Sequence, residues 1–215
     1  DYCKSMAKKL NITMKLGKEV TAQEVLALKP YSILVATGSN VISIPLEGLD
    51  QVQTVQAHDV LANDMQFANK KVVVIGGGIT GLETALYINR QGTNQVSVVD
   101  MLPEWPVDML DMRYQNEALL EVRHCNDQGV ALFYNNKVVK FADGKLFIES
   151  TKDGEVKELP ADVIVLSVGV KPNDALWQEL LASGHPSVWK AGDAIATGKI
   201  NKAVLHGSKF GYSLN

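Results

Sequence analysis

Three short apolar runs frame the chain: Val72-Val73-Val74-Ile75, Val96 to Val99, and Val163 to Val168. Runs of this length, rich in β-branched residues and bounded by turn residues, predict buried strands of a parallel sheet. Between the first two, the glycine turn Gly76-Gly77-Gly78 opens a helix that runs to about Gln91. The succession strand, glycine turn, helix, strand is a βαβ unit. Upstream, Tyr2, Met6 and Leu10 have the spacing of a short amphipathic helix, and Ile12 to Leu16 predicts a strand. Thr21 is placed to N-cap a helix near Ala22 to Leu28, and Ser32 to Ala36 predicts a buried strand that stops at Thr37-Gly38. After Asp100, a loop with Pro103 and Pro106 leads into a long helical pattern carrying Tyr114, Ala118, Leu119 and Val122. Short strands are expected near 130–134, 137–141, 145–149 and 155–158, with Asp143-Gly144 and Asp153-Gly154 marking hairpins. A helix near Asp174 to Ala182, a brief strand at Val188-Trp189 and a helix from about Asn201 to Leu214 close the pattern. The expected fold class is α/β: a Rossmann-like doubly wound parallel sheet with a small antiparallel insertion.

Composition narrows the function classes. Of 215 residues, 46% are hydrophobic and 21% charged, which suits a chain that buries a core. A formal net charge of −3 provides no basic stripe, so neither nucleic acid nor an anionic membrane is expected as a partner. Cys3 and Cys125 stand far apart without metal-ligand or dithiol spacing and read as incidental thiols. No apolar run approaches the roughly 20 residues that span a bilayer, and no targeting segment opens the chain, so a cytoplasmic location is expected. The chain begins with Asp1 inside a helical pattern and is expected to be excised from something longer. Oligomeric state has no signature here.

The glycine turn carries the chemistry. Gly76 permits the tight turn, Gly78 lets backbone approach a pyrophosphate, and Gly81 lets the helix pack closely on the strand. Gly77 completes the turn, and Ile79 and Thr80 open the helix whose amino terminus offers N–H groups and partial positive charge to phosphates. About twenty residues beyond the motif, Asp100 ends the second strand, where a carboxylate accepts hydrogen bonds from ribose hydroxyls and repels a 2′-phosphate. With no Arg or Lys between Asp100 and Arg113, NAD(H) is expected rather than NADP(H). Glu83 has two readings, a contact on the nicotinamide side or a solvated helix acid. No nucleophile pairs with a base, so catalytic side chains stay unassigned; hydride transfer between cofactors requires orientation. His58, His124, His185 and His206 lack ligand spacing, so no metal site is expected and surface or capping roles are favoured. Trp105, Trp177 and Trp189 are expected in core or crevice positions, and Lys8-Lys9 and Lys70-Lys71 as solvated charges.

Four strings, ILVATGS (Ile33 to Ser39), VVVIGGGITGLETAL (Val72 to Leu86), SVGVKPN (Ser167 to Asn173) and VWKAGDA (Val188 to Ala194), resemble the two-dinucleotide-binding flavoprotein reductases. Within them the chain is similar to the carboxy-terminal module of the NADH:flavin oxidoreductase and 2,4-dienoyl-CoA reductase group, related to old yellow enzyme. Asp100-Met101-Leu102-Pro103, the helix Tyr114 to Glu121 and the closing GDAIATGKINKAVLHGSKFGYSLN carry that likeness. The resemblance implies residues 1–67 as part of an FAD-binding domain, 68–168 as the NAD domain, and 169–215 as the return to the FAD domain. It assigns Gly169 to the NAD site, and Thr37, Gly38, Gly192 and Asp193 to FAD; an Asp at that turn also serves as an N-cap. The family's first βαβ would precede Asp1, and FMN and an iron-sulfur cluster would belong to other parts of an intact protein. The expected role is an NAD(H)-binding module of a flavin-dependent oxidoreductase. The rival reading is a nucleotide-binding or interaction module without turnover.

Overall fold

The computed structural model describes residues 2–103 and 112–214. Trp105 and Pro106 lie outside the described residues. By packing, the chain forms two compact units, Asp1–Asn40 with Val170–Asn215, and Val41–Gly169.

The first unit opens with α1 (Tyr2–Lys9), α2 (Ala22–Ala27), β1 (Ile33–Val35) and β2 (Ser39–Val41). Helix α2 begins with a capping box: Glu24 N donates to Thr21 Oγ1 at 3.3 Å and Thr21 N donates to Glu24 Oε2 at 3.1 Å. The strand expected at Ile12 to Leu16 does not form, because its alternating apolar residues Ile12, Met14 and Leu16 are all exposed and no buried face selects a strand.

In the second unit follow β3 (Gln53–Gln56), α3 (Ala57–Ala62), β4 (Lys71–Ile75), α4 (Ile79–Asn89), β5 (Gln95–Val99), α5 (Met112–Asp127) and β6 (Ala131–Phe133). Then come β7 (Asn136–Ala142), β8 (Lys145–Ser150), β9 (Val156–Pro160) and β10 (Val163–Leu166). Five strands form one parallel sheet in the order β3-β10-β4-β5-β6. The apolar runs of β4, β5 and β10 are continuous because both faces are covered. On one face, Val72, Val74, Val96, Val98, Val163 and Val165 meet Val60 of α3, Leu82, Ala85 and Leu86 of α4, and Val122 and Cys125 of α5. On the other, Val73, Ile75, Val99, Ile164 and Leu166 meet Phe141, Leu146 and Ile148 of the antiparallel sheet β7-β8-β9. Each such side chain contributes about 1.5–3 kcal/mol by leaving water. The chain thus has the mixed α/β Rossmann-like fold, with the antiparallel insertion serving as the second cover of the parallel sheet.

The packing draws its boundaries at 40/41 and 169/170, where the sequence places them at 67/68 and 168/169. Residues 41–67 cluster centrally because β3 edges the parallel sheet and Val60 and Phe67 enter its core. The string Gln-Thr-Val-Gln of β3 has no apolar run to announce that.

Back in the first unit lie β11 (Val170–Pro172), α6 (Ala175–Ala182), β12 (Val188–Lys190) and α7 (Ile200–Ser213). β12 pairs in parallel with β1, Ile33 opposite Val188, and β11 pairs with β2. Ile33, Val35 and Leu180 form a small core with Val25 and Leu26 of α2. Neither α1 nor α7 buries a residue completely. Among the described residues, no helix is long and apolar enough to cross a membrane.

Candidate dinucleotide site

Strand β4 ends where the chain must bend toward α4, and the glycines there have separate reasons. Gly76 has φ +112°, and a Cβ on it would stand 2.2 Å from the Ser167 carbonyl oxygen. Its N–H donates to Val99 O at 2.8 Å, extending the sheet one residue past β4. A Cβ on Gly81 would lie 2.0 Å from the Gly76 carbonyl oxygen, so α4 reaches its position only with glycine on that face. At Gly77 a Cβ would press on Tyr134 at 3.0 Å and on the Asp100 side chain at 3.2 Å. Gly78 is different: nothing lies within 4 Å of where its Cβ would point, and its backbone is in the extended region, with no positive φ to require glycine. The protein's own packing leaves that space open.

Gly78 is also the N-cap of α4 and supplies no side-chain cap. The first turn, Ile79 to Gly81, therefore presents backbone amides and the positive end of the helix toward the open side of Gly78. A pyrophosphate has the acceptors, the charge and the volume for that place. The fit rests on the open space beside Gly78 at the amino end of α4, which carries no side-chain cap. Thr80 takes part through its backbone, its carbonyl accepting from Thr84 Oγ1 at 2.6 Å.

Asp100 follows β5 and is half-buried. Its Oδ2 accepts from Gly77 N at 2.6 Å and its Oδ1 from Leu102 N at 2.8 Å. The carboxylate thus fastens the glycine turn to the loop after β5 while keeping lone pairs on both oxygens for further donors. It borders a cleft of about 530 Å³ lined by Ile44, Leu46, Ile75, Gly76, Val99, Met101, Leu102, Asn136, Lys137, Val138, Ser167 and Val168. The walls are mostly apolar, with a few polar groups, as a nucleoside half requires.

Of the residues expected to bind NAD, the turn from Gly76 to Gly81 and Asp100 come together here. Gly169 does not line the cleft; it has φ +93° and its carbonyl accepts from Ile42 N at 3.1 Å. Glu83 is exposed on α4 between buried Leu82 and Thr84. Several cleft residues have no local sequence signal: Ile44 and Leu46, and Asn136 to Val138, arrive from the segment before β3 and from β7. Ser167 lies within a string already singled out. Lys137 also lines the cleft, a basic residue that no count between Asp100 and Arg113 includes, and its Nζ is paired with Glu149 Oε1 at 2.9 Å.

The residues expected to approach FAD lie in the first unit around a cleft of about 440 Å³ that includes Leu34, Ala36, Gly38, Gly192, Asp193 and Ala203. Gly38 has φ +73° and its carbonyl accepts from Asn173 N at 3.0 Å, while Thr37 Oγ1 donates to Asn173 O. Gly192 has φ +60° and donates its N–H to His206 Nδ1 at 3.2 Å. Asp193 accepts from Gly198 N at 3.0 Å and, at 3.5 Å, from Ser39 Oγ. That carboxylate closes its own loop, and α7 takes Lys199 as its N-cap.

His206 is therefore a backbone cap, and His185 likewise accepts from Ser187 N at 3.2 Å. His58 and His124 stand beside Asp59 and Glu121. Among the described residues no group of three His, Cys, Asp or Glu side chains is arranged to hold a metal ion. Trp177 lies under the Lys190 ammonium at 4.0 Å, and Trp189 meets Phe210 edge-on at 6.1 Å. Burial pushes the Cys125 thiol up to about 11, with the Glu121 carboxylate adding to the rise, so it is an inert side chain near neutral pH.

A strand, a glycine turn and a helix with an uncapped amino terminus, with an acid at the end of the next strand, define a Rossmann-type dinucleotide-binding protein. The profile of the pyridine nucleotide-disulphide oxidoreductases matches residues 2–207, and the chain belongs to that family. It is 33% identical over 172 residues to a bilirubin reductase of Mediterraneibacter gnavus, covering 80% of this chain and 26% of that protein. It is 29% identical over 222 residues to an NADH oxidase of Thermoanaerobacter brockii, covering 100% of this chain and 32% of that one. Among solved structures, a 2-naphthoyl-CoA reductase in complex with 2-naphthoyl-CoA superposes with a TM-score of 0.81 at 27% identity, over 98% of this chain and 31% of that one. The chain spans about a quarter to a third of the length of these relatives. The family is one of FAD- and NAD(P)H-dependent flavoprotein oxidoreductases.

Proposed function

We propose that this chain is the NAD(H)-binding module of a flavin-dependent oxidoreductase, within the NADH:flavin oxidoreductase and 2,4-dienoyl-CoA reductase group. The observation that carries the proposal is the open space at Gly78 beside an uncapped helix terminus, with the Asp100 carboxylate at the same turn. The backbone amides from Gly78 to Gly81 hold the pyrophosphate, Asp100 takes the ribose hydroxyls, and the apolar cleft walls exclude water from the nucleoside. NADH supplies a hydride and, in the intact protein, FAD accepts it. This chain's part in that transfer is binding and alignment rather than proton transfer or nucleophilic attack. Thr37, Gly38, Gly192 and Asp193 are proposed for the FAD side, and Gly169 and Glu83 for the NAD side. The group likeness implies FMN and an iron-sulfur cluster in other parts of the intact protein. A reducing cytoplasm suits the free thiols Cys3 and Cys125.

NAD is preferred to NADP because Asp100 repels a 2′-phosphate while Lys137, the basic residue lining the cleft, is paired with Glu149. Asp100→Arg tests the reading. NADH affinity, followed by fluorescence titration, falls about tenfold through loss of charge-assisted ribose hydrogen bonds, and NADPH gains on NADH. Unchanged NADH affinity in this variant overturns the ribose assignment. Residues 1–215 expressed alone are expected to bind NADH without turnover and to be colourless.

A further inference from the structure

The turn between β6 and β7, Tyr134-Asn135, and Asn136 at the start of β7 are fastened to the loop that carries Asp100. Asp100 N donates to Phe133 O at 3.0 Å, Asn135 N to Leu102 O at 2.9 Å, and Asn136 N to Asp100 O at 2.9 Å. Asn135 makes the bend with φ +58°. The Asn136 side chain is therefore held in the cleft wall at a fixed offset from the acid. Its Nδ2 donates to Tyr134 O at 2.8 Å. Because a carbonyl only accepts, that bond fixes which end of the amide is nitrogen and which is oxygen. The remaining end, Oδ1, is buried and has no hydrogen-bond partner among the described residues, in a residue only 9% exposed. A buried amide oxygen without a donor is costly, and because its residue lines the cleft a bound ligand is a candidate donor.

We infer that Asn136 is a specificity-determining residue that reads the 6-amino group of the adenine ring. The inference rests on the proposal that this cleft takes the adenosine half of NAD(H). The chemistry of the cofactor leaves one group for the role. Pyrophosphate oxygens are acceptors and repel a carbonyl oxygen, and the ribose hydroxyls belong to Asp100. The exocyclic amine of adenine is the remaining donor on that half, and it sits on a flat ring suited to walls of Ile44, Leu46, Leu102 and Val138. Reading the ring requires the amide, whose Oδ1 is buried, to turn about its broad sp³–sp² torsion until that oxygen reaches the cleft. A ring with an oxo group at the same position brings acceptor against acceptor.

The test compares NADH with reduced nicotinamide hypoxanthine dinucleotide, which differs in carrying the 6-oxo group, by calorimetric titration of the chain and of Asn136→Leu. NADH is expected to bind about tenfold more tightly than the hypoxanthine analogue, the worth of one hydrogen bond exchanged for a buried acceptor pair. In Asn136→Leu that ratio falls to about one, while the preference for NADH over NADPH set by Asp100 persists. Equal binding of the two dinucleotides by the unaltered chain overturns the inference and leaves the cleft reading intact. So does a variant that binds both more weakly at an unchanged ratio, because a purely structural turn residue behaves that way. Should neither dinucleotide bind the unaltered chain, the cleft reading itself falls and the inference with it.

Discussion

The two units place glycine turns and acids in similar-looking sequence strings and support them with very different amounts of core. In the central unit, Gly76, Gly81 and Asp100 rest on a parallel sheet covered on both faces, and Val74, Ile164 and Leu146 are fully buried. In the flanking unit, Gly38, Gly192 and Asp193 rest on two sheets of two strands each, while Tyr31, Ile200 and Tyr212 are at least 80% exposed. The difference teaches that a motif string and the packing that holds it rigid are separate properties. Dinucleotide geometry is over-determined in one unit, whereas in the other the turns are held mainly by local bonds such as Gly192 to His206 and Gly198 to Asp193.

Hydrogen exchange sharpens that contrast most. Amides of β4, β5 and β10 are expected to exchange only through global opening and those of α1 and α7 through local opening, a gap of about a thousandfold in protection. Comparable protection in the two sets would erase the distinction between the units. Next comes Gly81→Val, which forces a Cβ against the Gly76 carbonyl at a site where neither backbone segment can yield. A loss of about 3 kcal/mol is expected from that overpacking, read as a lower urea midpoint at unchanged slope. The smallest effect belongs to Glu149→Gln. Removing the partner at 2.9 Å frees the Lys137 ammonium, and because such part-exposed pairs are weak, discrimination against NADPH narrows only about threefold. A ratio of NADH to NADPH affinity that stays fixed would take Lys137 out of cofactor choice.

How legible each region is in sequence follows the same divide. Strands β4, β5 and β10 are readable because burial on two faces demands continuous β-branched runs, and Gly76 and Gly81 because backbone collisions admit no alternative. The helix capped by Thr21 and the hairpin at Asp143-Gly144 are readable from local chemistry, with Asp143 at φ +51° and Gly144 at +73°. Edge strands are not: β3 carries two glutamines, and β11 is an exposed Val-Lys-Pro. The opposite error occurs at Ile12 to Leu16, where alternation is present but nothing covers it. The cleft wall is the least legible part. Asn136 reaches Asp100 through a backbone bond across more than thirty positions of chain, which no local periodicity encodes.

The central claim is that the space at Gly78 exists for a pyrophosphate, and calorimetric injection of NADH into the unaltered chain and into Gly78→Val tests it most directly. Saturable one-to-one heat is expected from the first. From the second, with circular dichroism near native because a Cβ there meets nothing in the protein, affinity is expected to drop on the order of a hundredfold, the loss of one or two charge-assisted amide contacts. No heat from the unaltered chain, or equal affinity in the two, would contradict it.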